Sequence, residues 1–390
     1  MTNLVIAPLR DLDSSLFERL HAEITEESLY RILKPLADTH APSQTVSFTR
    51  ARILEDLLGQ DGFLAHPNIR FERNFESTGN AVLLLGQNAR AKEVWLLAHL
   101  DNISYFIEPG RDGRYPLTPN CYHLMEPGRR AAVALGYNLR GRHYEIIARG
   151  EIIVDENEQT PFFVPNSPVS LQPGLRVCFD NQLEWHRETG EIRGSLDDAG
   201  GAAALILAAR FLANYDIEVM LGLTDEEEGQ AGMGSQSICR GGSRLLRYFD
   251  QPQLVIASDI HEAADMYGGT GPDNFRPGGG ASFGEKSARG VGEITPPHLY
   301  ELQRQMAQEL DSVGIRLREN VGGYLSRTEG INAMYRTPNI SLIGFLGVNR
   351  HFQRDVETAN IKDLVNLAKV VVCTALLVKT SFWKELGFAA

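Results

Sequence analysis

Residues 219–229 read VMLGLTDEEEG: an apolar run that ends in four consecutive acids, Asp225, Glu226, Glu227 and Glu228, closed by Gly229. An apolar run bounded by turn signals predicts a strand buried on both faces, as in a parallel sheet. Open α/β sheets hold their ligands at the carboxyl ends of such strands, so the acids fall where chemistry is placed. Neighbouring side chains on a strand point to opposite faces. If strand geometry persists to the acids, Glu226 and Glu227 do different jobs, one facing a metal and the other a reacting water. Taken alone, the stretch is equally well explained as a solvated acidic turn.

Four other segments change that balance. VWLLAHLDNIS (94–104) is a second apolar run, ending in His99 and Asp101. An i, i+2 pair on a strand shares one face, and a carboxylate beside a histidine can fix its tautomer. In QLVIASDIHEAAD (253–265) Asp259 directly follows a buried strand, with His261 the runner-up as a ligand. NISLIGF (339–345) is another buried strand, and His351 lies just past its end. GSLDDAGGAAALILAARF (194–211) puts Asp197 and Asp198 before two glycines and an alanine-rich helix. One aspartate is readily a helix cap; two in succession leave one free to point elsewhere. His99, Asp197, Glu226 with Glu227, Asp259 and His351 therefore all fall at strand ends or a helix entry. Two histidines with three carboxylates suit a pair of divalent ions such as zinc. The same acids without metal would repel one another strongly.

The rest of the chain reads as scaffold around this set. The 390 residues are 43% hydrophobic and 23% charged, an ordinary globular composition long enough for more than one domain. A net charge of -12 argues against nucleic-acid or anionic-membrane binding. No apolar run approaches a membrane span, and the first residues carry no secretory pattern. Cys121, Cys178, Cys239 and Cys373 form no CxxC pair, which suggests reduced buried thiols and a cytoplasmic protein. Helical spacing covers Leu16–Thr39, Val46–Leu58, Pro297–Val313 and Thr358–Lys379, the last being packing rather than function. Residues 109–191 differ: short β runs separated by turn signals predict a small inserted barrel or sandwich, in which His123, His143 and His186 lack ligand spacing. The glycine-rich stretch 268–292, with Arg276, Lys286 and Arg289, is expected to shape a cleft. With Arg350, these cations suggest acidic substrates.

The ordered motifs AHLD (98–101), LDDAGG (196–201), TDEEEGQAG (224–232), ASD (257–259) and RHF (350–352) resemble the M42 family of dinuclear metallo-aminopeptidases, with the related M28 and M20 clans behind it. The resemblance covers nearly the whole chain past about residue 45. It implies a three-layer αβα core with a mixed, mainly parallel sheet, formed by 1–108 and 192–390, and an inserted β domain at 109–191. Carried over, it implies two divalent ions, zinc or else cobalt or manganese. Asp197 would bridge them, His99 and Asp259 would complete one site, and Glu227 and His351 the other. Glu226 would be the general base and Asp101 the partner of His99. The Asp197–Asp198 peptide would be cis. Homo-oligomers, up to twelve-subunit shells, are also implied. This chain departs from the family at Asn102, where glutamate is usual, and at Ala199, where arginine is usual. It departs again around His351, preceded by Asn349 and Arg350 instead of Tyr-Ile and followed by Phe352-Gln353 instead of Ser-Pro.

The leading expectation is removal of N-terminal residues from peptides by a metal-activated water. An amidohydrolase or deacylase acting on a small amide from the same scaffold, or a non-enzymatic assembly protein keeping the fold, are the alternatives. The intact Glu226 speaks against the last.

Overall fold

The computed structural model describes residues 3–121, 126–156, 160–229, 238–262, 276–321 and 323–387. Its strands in chain order are β1 (Ile69–Glu72), β2 (Ala81–Leu85), β3 (Val94–His99), β4 (Tyr105–Ile107), β5 (Tyr115–Pro119), β6 (Gly128–Asn138), β7 (His143–Val154), β8 (Phe162–Pro165) and β9 (Arg176–Phe179). There follow β10 (Glu184–His186), β11 (Glu191–Arg193), β12 (Val219–Thr224), β13 (Leu254–Ala257), β14 (Ile260–Glu262), β15 (Ala281–Gly284), β16 (Leu317–Glu319), β17 (Ile340–Val348) and β18 (Thr358–Asn360).

Twelve described strands form one mixed sheet whose main path is β1-β2-β12-β3-β13-β17-β18-β11-β10. Its centre, β12-β3-β13-β17, is parallel throughout. Every residue of β3, β12 and β13 is buried, which explains unbroken apolar runs where a half-exposed strand would alternate. The two faces of β3 enter different cores. Leu96 and Ala98 join Leu205 and Leu367, from the helices Ala199–Leu212 and Ile361–Leu377. Trp95 and Leu97 join Leu245, Leu246 and Phe249 on the opposite side. This is the expected three-layer α/β arrangement.

Small residues let the first of those helices approach the sheet: a Cβ on Gly200 would lie 2.7 Å from the Phe345 ring. The expected helix 16–39 is two helices, Leu16–Glu23 and Glu26–Ala37. Thr25 divides them with a reciprocal cap, its hydroxyl accepting from the Ser28 N–H while the Ser28 hydroxyl accepts from the Thr25 N–H.

The inserted region closes into a six-stranded barrel, β4-β5-β8-β7-β6-β9. Tyr105, Leu117, Ala134, Phe163 and Val177 fill it. Its strands run from Tyr105 to Phe179. In the later part of the expected 109–191 insert, β10 instead pairs with β11 and through it joins the large sheet at β18.

A Cβ on Gly344 in β17 would fall 2.0 Å from the Asp259 carbonyl oxygen. Two backbones must separate to admit it, so Gly344→Ala is expected to cost about 1–3 kcal/mol in urea unfolding. An unchanged midpoint would show that this approach is looser than described.

Candidate functional site

The register brings the site together. Thr224 pairs with His99, and Ala257 with Leu97, so β12, β3 and β13 end side by side. His99, the acids after Thr224, and Asp259 thus share one sheet edge. Asp197 arrives from the helix entry opposite, across a cis Asp197–Asp198 peptide. Asp198 is the cap, accepting from the Gly201 N–H at 3.0 Å, and this leaves Asp197 to point into the cluster.

Asp197 divides its oxygens. Oδ1 lies 3.1 Å from His99 Nε2, and Oδ2 lies 3.3 Å from both His351 Nε2 and Arg350 Nη1. Three buried groups of ligand-type atoms fall within 4.8 Å of one another: His99, Asp197 and Asp259; His99, Glu227 and Glu228; and Cys121, Glu228 and His351.

Glu226 belongs to none of these groups. Its backbone is left-handed, with φ 63°, and its carboxylate pairs with Arg240 Nε at 2.7 Å and Arg244 Nη2 at 2.5 Å. Strand alternation stops at Thr224, and the turn at Glu226 moves the pair of inward acids one residue along, to Glu227 and Glu228. Glu227 Oε2 lies 3.9 Å from His99 Nε2, and Arg327 Nε lies 3.4 Å from Glu227 Oε1. Glu228 Oε1 approaches His351 Nε2 at 3.1 Å. That approach lacks hydrogen-bond geometry, and neither Glu228 oxygen has a hydrogen-bond partner among the described residues.

Asp101 holds this turn. Its carboxylate accepts from the N–H groups of Glu227 and Glu228 at 3.2 Å each and from the Ser43 hydroxyl at 2.6 Å. His99 Nδ1 is 3.0 Å from the Asp101 carbonyl oxygen but 3.6 Å from its carboxylate. The carbonyl is therefore the hydrogen-bond acceptor for His99, and the carboxylate's short bonds go to the acid turn and Ser43.

His261 faces Ser282 at 2.9 Å, and burial pushes its pKa down to about 3. Lys286 and Arg289 line a surface cavity with Glu285, Glu319 and Tyr324, while Arg276 is exposed. His143 is partly exposed beside Glu145, and His186 is exposed. His123, Asp265 and most of 229–242 and 268–275 lie outside the described residues.

Sequence reasoning missed Glu357. Its carboxylate accepts from the N–H groups of Leu196 (2.7 Å), Asp197 (3.0 Å) and His351 (2.9 Å), fixing the Asp197 and His351 turns at once. Burial, with Asp197 adding to it, raises its pKa to about 7. An isolated acid in a loop gives no spacing signal, so only the fold reveals it.

The electrostatics are those of a site short of cations. Burial raises the carboxyls of Asp198, Asp259 and Glu227 above their ordinary range, and brings Glu329 to about 8. Burial alone would discharge His99, but Asp101, Asp197 and Glu227 outweigh it and raise its pKa. For His351 burial and Arg350 oppose the charge while Glu228 and Asp197 favour it, giving about 9. A protonated Nε2 would, however, meet an Arg350 N–H at 2.7 Å. Guanidinium keeps its protons, so Nε2 is the acceptor and the ring is neutral in this arrangement.

His99, Asp197 and Asp259 fit a divalent ion: one imidazole and two carboxylates, all buried, with Asp198 Oδ2 nearby lacking a hydrogen-bond partner among the described residues.

Neither a scan of protein-family models nor a search of curated proteins gave a match. Solved structures do match. Aminopeptidase APDkam598 from the archaeon Desulfurococcus kamchatkensis is similar over 90% of this chain and 95% of its own, at 19% identity and a TM-score of 0.67. The Pyrococcus horikoshii TET1 peptidase, described as assembling into a tetrahedron or a large octahedral shell, is similar over 89% and 99%, at 17% identity and a TM-score of 0.64. An endoglucanase from Thermotoga maritima covers 91% and 99%, at 14% identity and a TM-score of 0.58. The chain has the fold of the TET aminopeptidases, as the motif order implied. Among the described residues, no helix is long and apolar enough to cross a membrane.

Unfolded carboxyls titrate near pH 4 to 4.5. Between about pH 4.5 and 8 the unfolded chain therefore sheds protons that Glu357 and Glu329 keep when folded, and stability falls as pH rises. A divalent ion favours the ionised ligands and offsets that fall. The metal-free chain is expected to melt higher at about pH 5 than at pH 8, and zinc to raise the melting temperature more at pH 8. Equal zinc increments at both would sink the coupling.

Proposed function

We propose that this chain is a metal-dependent hydrolase that removes N-terminal residues from peptides. The observation that carries the reading is the meeting of His99, Asp197, Asp259 and Glu227 at one buried edge of a parallel sheet, on a fold shared with aminopeptidases. His99, Asp197 and Asp259 would hold the ion, with zinc the first choice and cobalt or manganese next. When bound, such an ion polarises a carbonyl and lowers the pKa of a water.

The remaining work falls to the chain. Glu227 takes the proton of the attacking water and passes it to the leaving amine. Its buried carboxylate has a raised pKa, which suits a base working near neutrality, and Arg327 and the Asp101-bound backbone orient it. Glu226, the base that the family resemblance implies, is neutralised by Arg240 and Arg244 and serves better as an anchor of the turn. Asp101 and Glu357 position the acid turn, Asp197 and His351 without touching substrate.

The reading extends to a cytoplasmic homo-oligomer. All four cysteines are buried and outside disulfides, as suits a reducing compartment. Tyr137, Leu139, Ile146 and Ile147 are exposed on β6, β7 and their connection, an apolar surface able to join copies of the chain. Light scattering on the purified chain should give a mass above the 43.2 kDa monomer, and Leu139→Asp should lower it. A monomer at working concentration would remove this extension and leave the chemistry standing.

Glu227→Gln is expected to lower kcat by roughly 10²–10⁴-fold, and Glu226→Gln far less, on free-amine aminoacyl amides with zinc-loaded enzyme. The reverse order would return the base role to Glu226. N-acetylated twins of the same substrates should be inert; their cleavage would favour the deacylase alternative.

A further inference from the structure

The resemblance that suggested two metal ions carries a departure at its last motif. The family's Tyr-Ile before the histidine is here Asn349-Arg350. β17 runs one residue past its parallel pairing with β14 and ends in a left-handed turn, with φ 60° at Asn349 and 59° at His351. That turn folds the Arg350 side chain back into the cluster, where it is 17% exposed.

Its contacts are the ones a second ion would need. Nη1 donates to His351 Nε2 at 2.7 Å and to Asp197 Oδ2 at 3.3 Å. Nε lies 3.4 Å from Glu262 Oε1, and the guanidinium faces the Tyr324 ring at 5.9 Å. The ring nitrogen of His351 and the second oxygen of Asp197 are thus already used by a cation. Arg327 adds a second positive charge 3.4 Å from Glu227, with no hydrogen bond from its Nε, so the Glu227 carboxylate is not tied up by it. Together the two guanidiniums bring the +2 that a second dication would supply, spread over a planar fork matched to carboxylates. The His99, Asp197 and Asp259 set is different: among the described residues, no arginine or lysine pairs with it on the Oδ1 side, where Asp197 meets His99.

We infer that the guanidinium of Arg350 takes the place of a second metal ion, so that each chain holds a single ion at His99, Asp197 and Asp259. The inference rests on the metal-hydrolase reading above. In this arrangement Arg350 is a fixed positive group beside the metal, available to an oxyanion developing on the substrate carbonyl. It also keeps Asp197 from being shared between two ions.

The experiment is metal content, read by elemental analysis of the full-length protein after loading with zinc and gel filtration. One zinc per chain in the wild type, rising to two in Arg350→Met, is expected. Methionine keeps the unbranched apolar stem and removes the guanidinium with its charge, leaving His351, Glu228 and Cys121 as donors for a second ion. Two zinc ions per wild-type chain would overturn the inference and leave the hydrolase reading intact. A variant that folds and still holds one would also overturn it. No zinc in the wild type would remove the metal reading itself and this inference with it. Should the variant fail to fold, the wild-type ratio still decides.

Discussion

The structure depends on keeping a crowd of carboxylates dry. Asp101, Asp197, Asp198, Asp225, Glu226, Glu227, Glu228, Asp259 and Glu357 are all buried near one edge of the sheet. Uncompensated, each would be driven neutral or would push its neighbours apart. The chain compensates them one by one. Asp225 accepts backbone N–H groups from Gln44 and Val46, Glu226 has two arginines, Asp101 has Ser43 and two N–H groups, and Glu357 has three. Least answered are Asp259, which has the Ile260 N–H, Asp197, which has Arg350, and Glu228, with two imidazoles among them. That set is where an external or internal cation has to enter.

The same constraint explains the division of labour among adjacent acids. In an unbroken strand, successive side chains would alternate between the layers of the core. The left-handed residue at Glu226 breaks that rule. It sends one carboxylate outward to Arg240 and Arg244 and lets the next two face inward together, their N–H groups both tied to Asp101. Gly241 makes room for this turn, since a Cβ there would meet the Asp225 carbonyl oxygen at 1.9 Å.

The sheet was readable from the sequence because burial on both faces leaves a mark: β3, β12 and β13 are apolar without interruption. The strand ends were readable for the same reason, since a polar residue after such a run has to lie at an edge. The sequence also pointed to a cap among Asp197 and Asp198, because a helix entry needs one acid, not two. Three things were hidden. That Glu226 turns to Arg240 and Arg244 while Glu227 and Glu228 face inward depends on a backbone dihedral that DEEEG does not specify. The role of Glu357 depends on two turns distant in sequence meeting at its carboxylate. The limits of the barrel, 105–179, were blurred because β10 and β11 are short strands like those of the barrel, yet β11 pairs with β18 and β10 with β11.

The barrel is more than an appendage for assembly. Phe179 at the end of β9 stacks on Phe352, with ring centroids 4.3 Å apart. Arg130 in β6 donates to the Phe352 carbonyl at 2.7 Å and the Gln353 carbonyl at 2.5 Å. These contacts grip the residues directly after His351, in a turn whose left-handed backbone is otherwise unfavourable for bulky side chains. Cys121, leaving β5, reaches the same place from the barrel side. Phe352 and Gln353 thus have a structural role of their own. They are the surface through which the barrel holds His351 and Arg350 in the cluster, so insert and sheet build one site together.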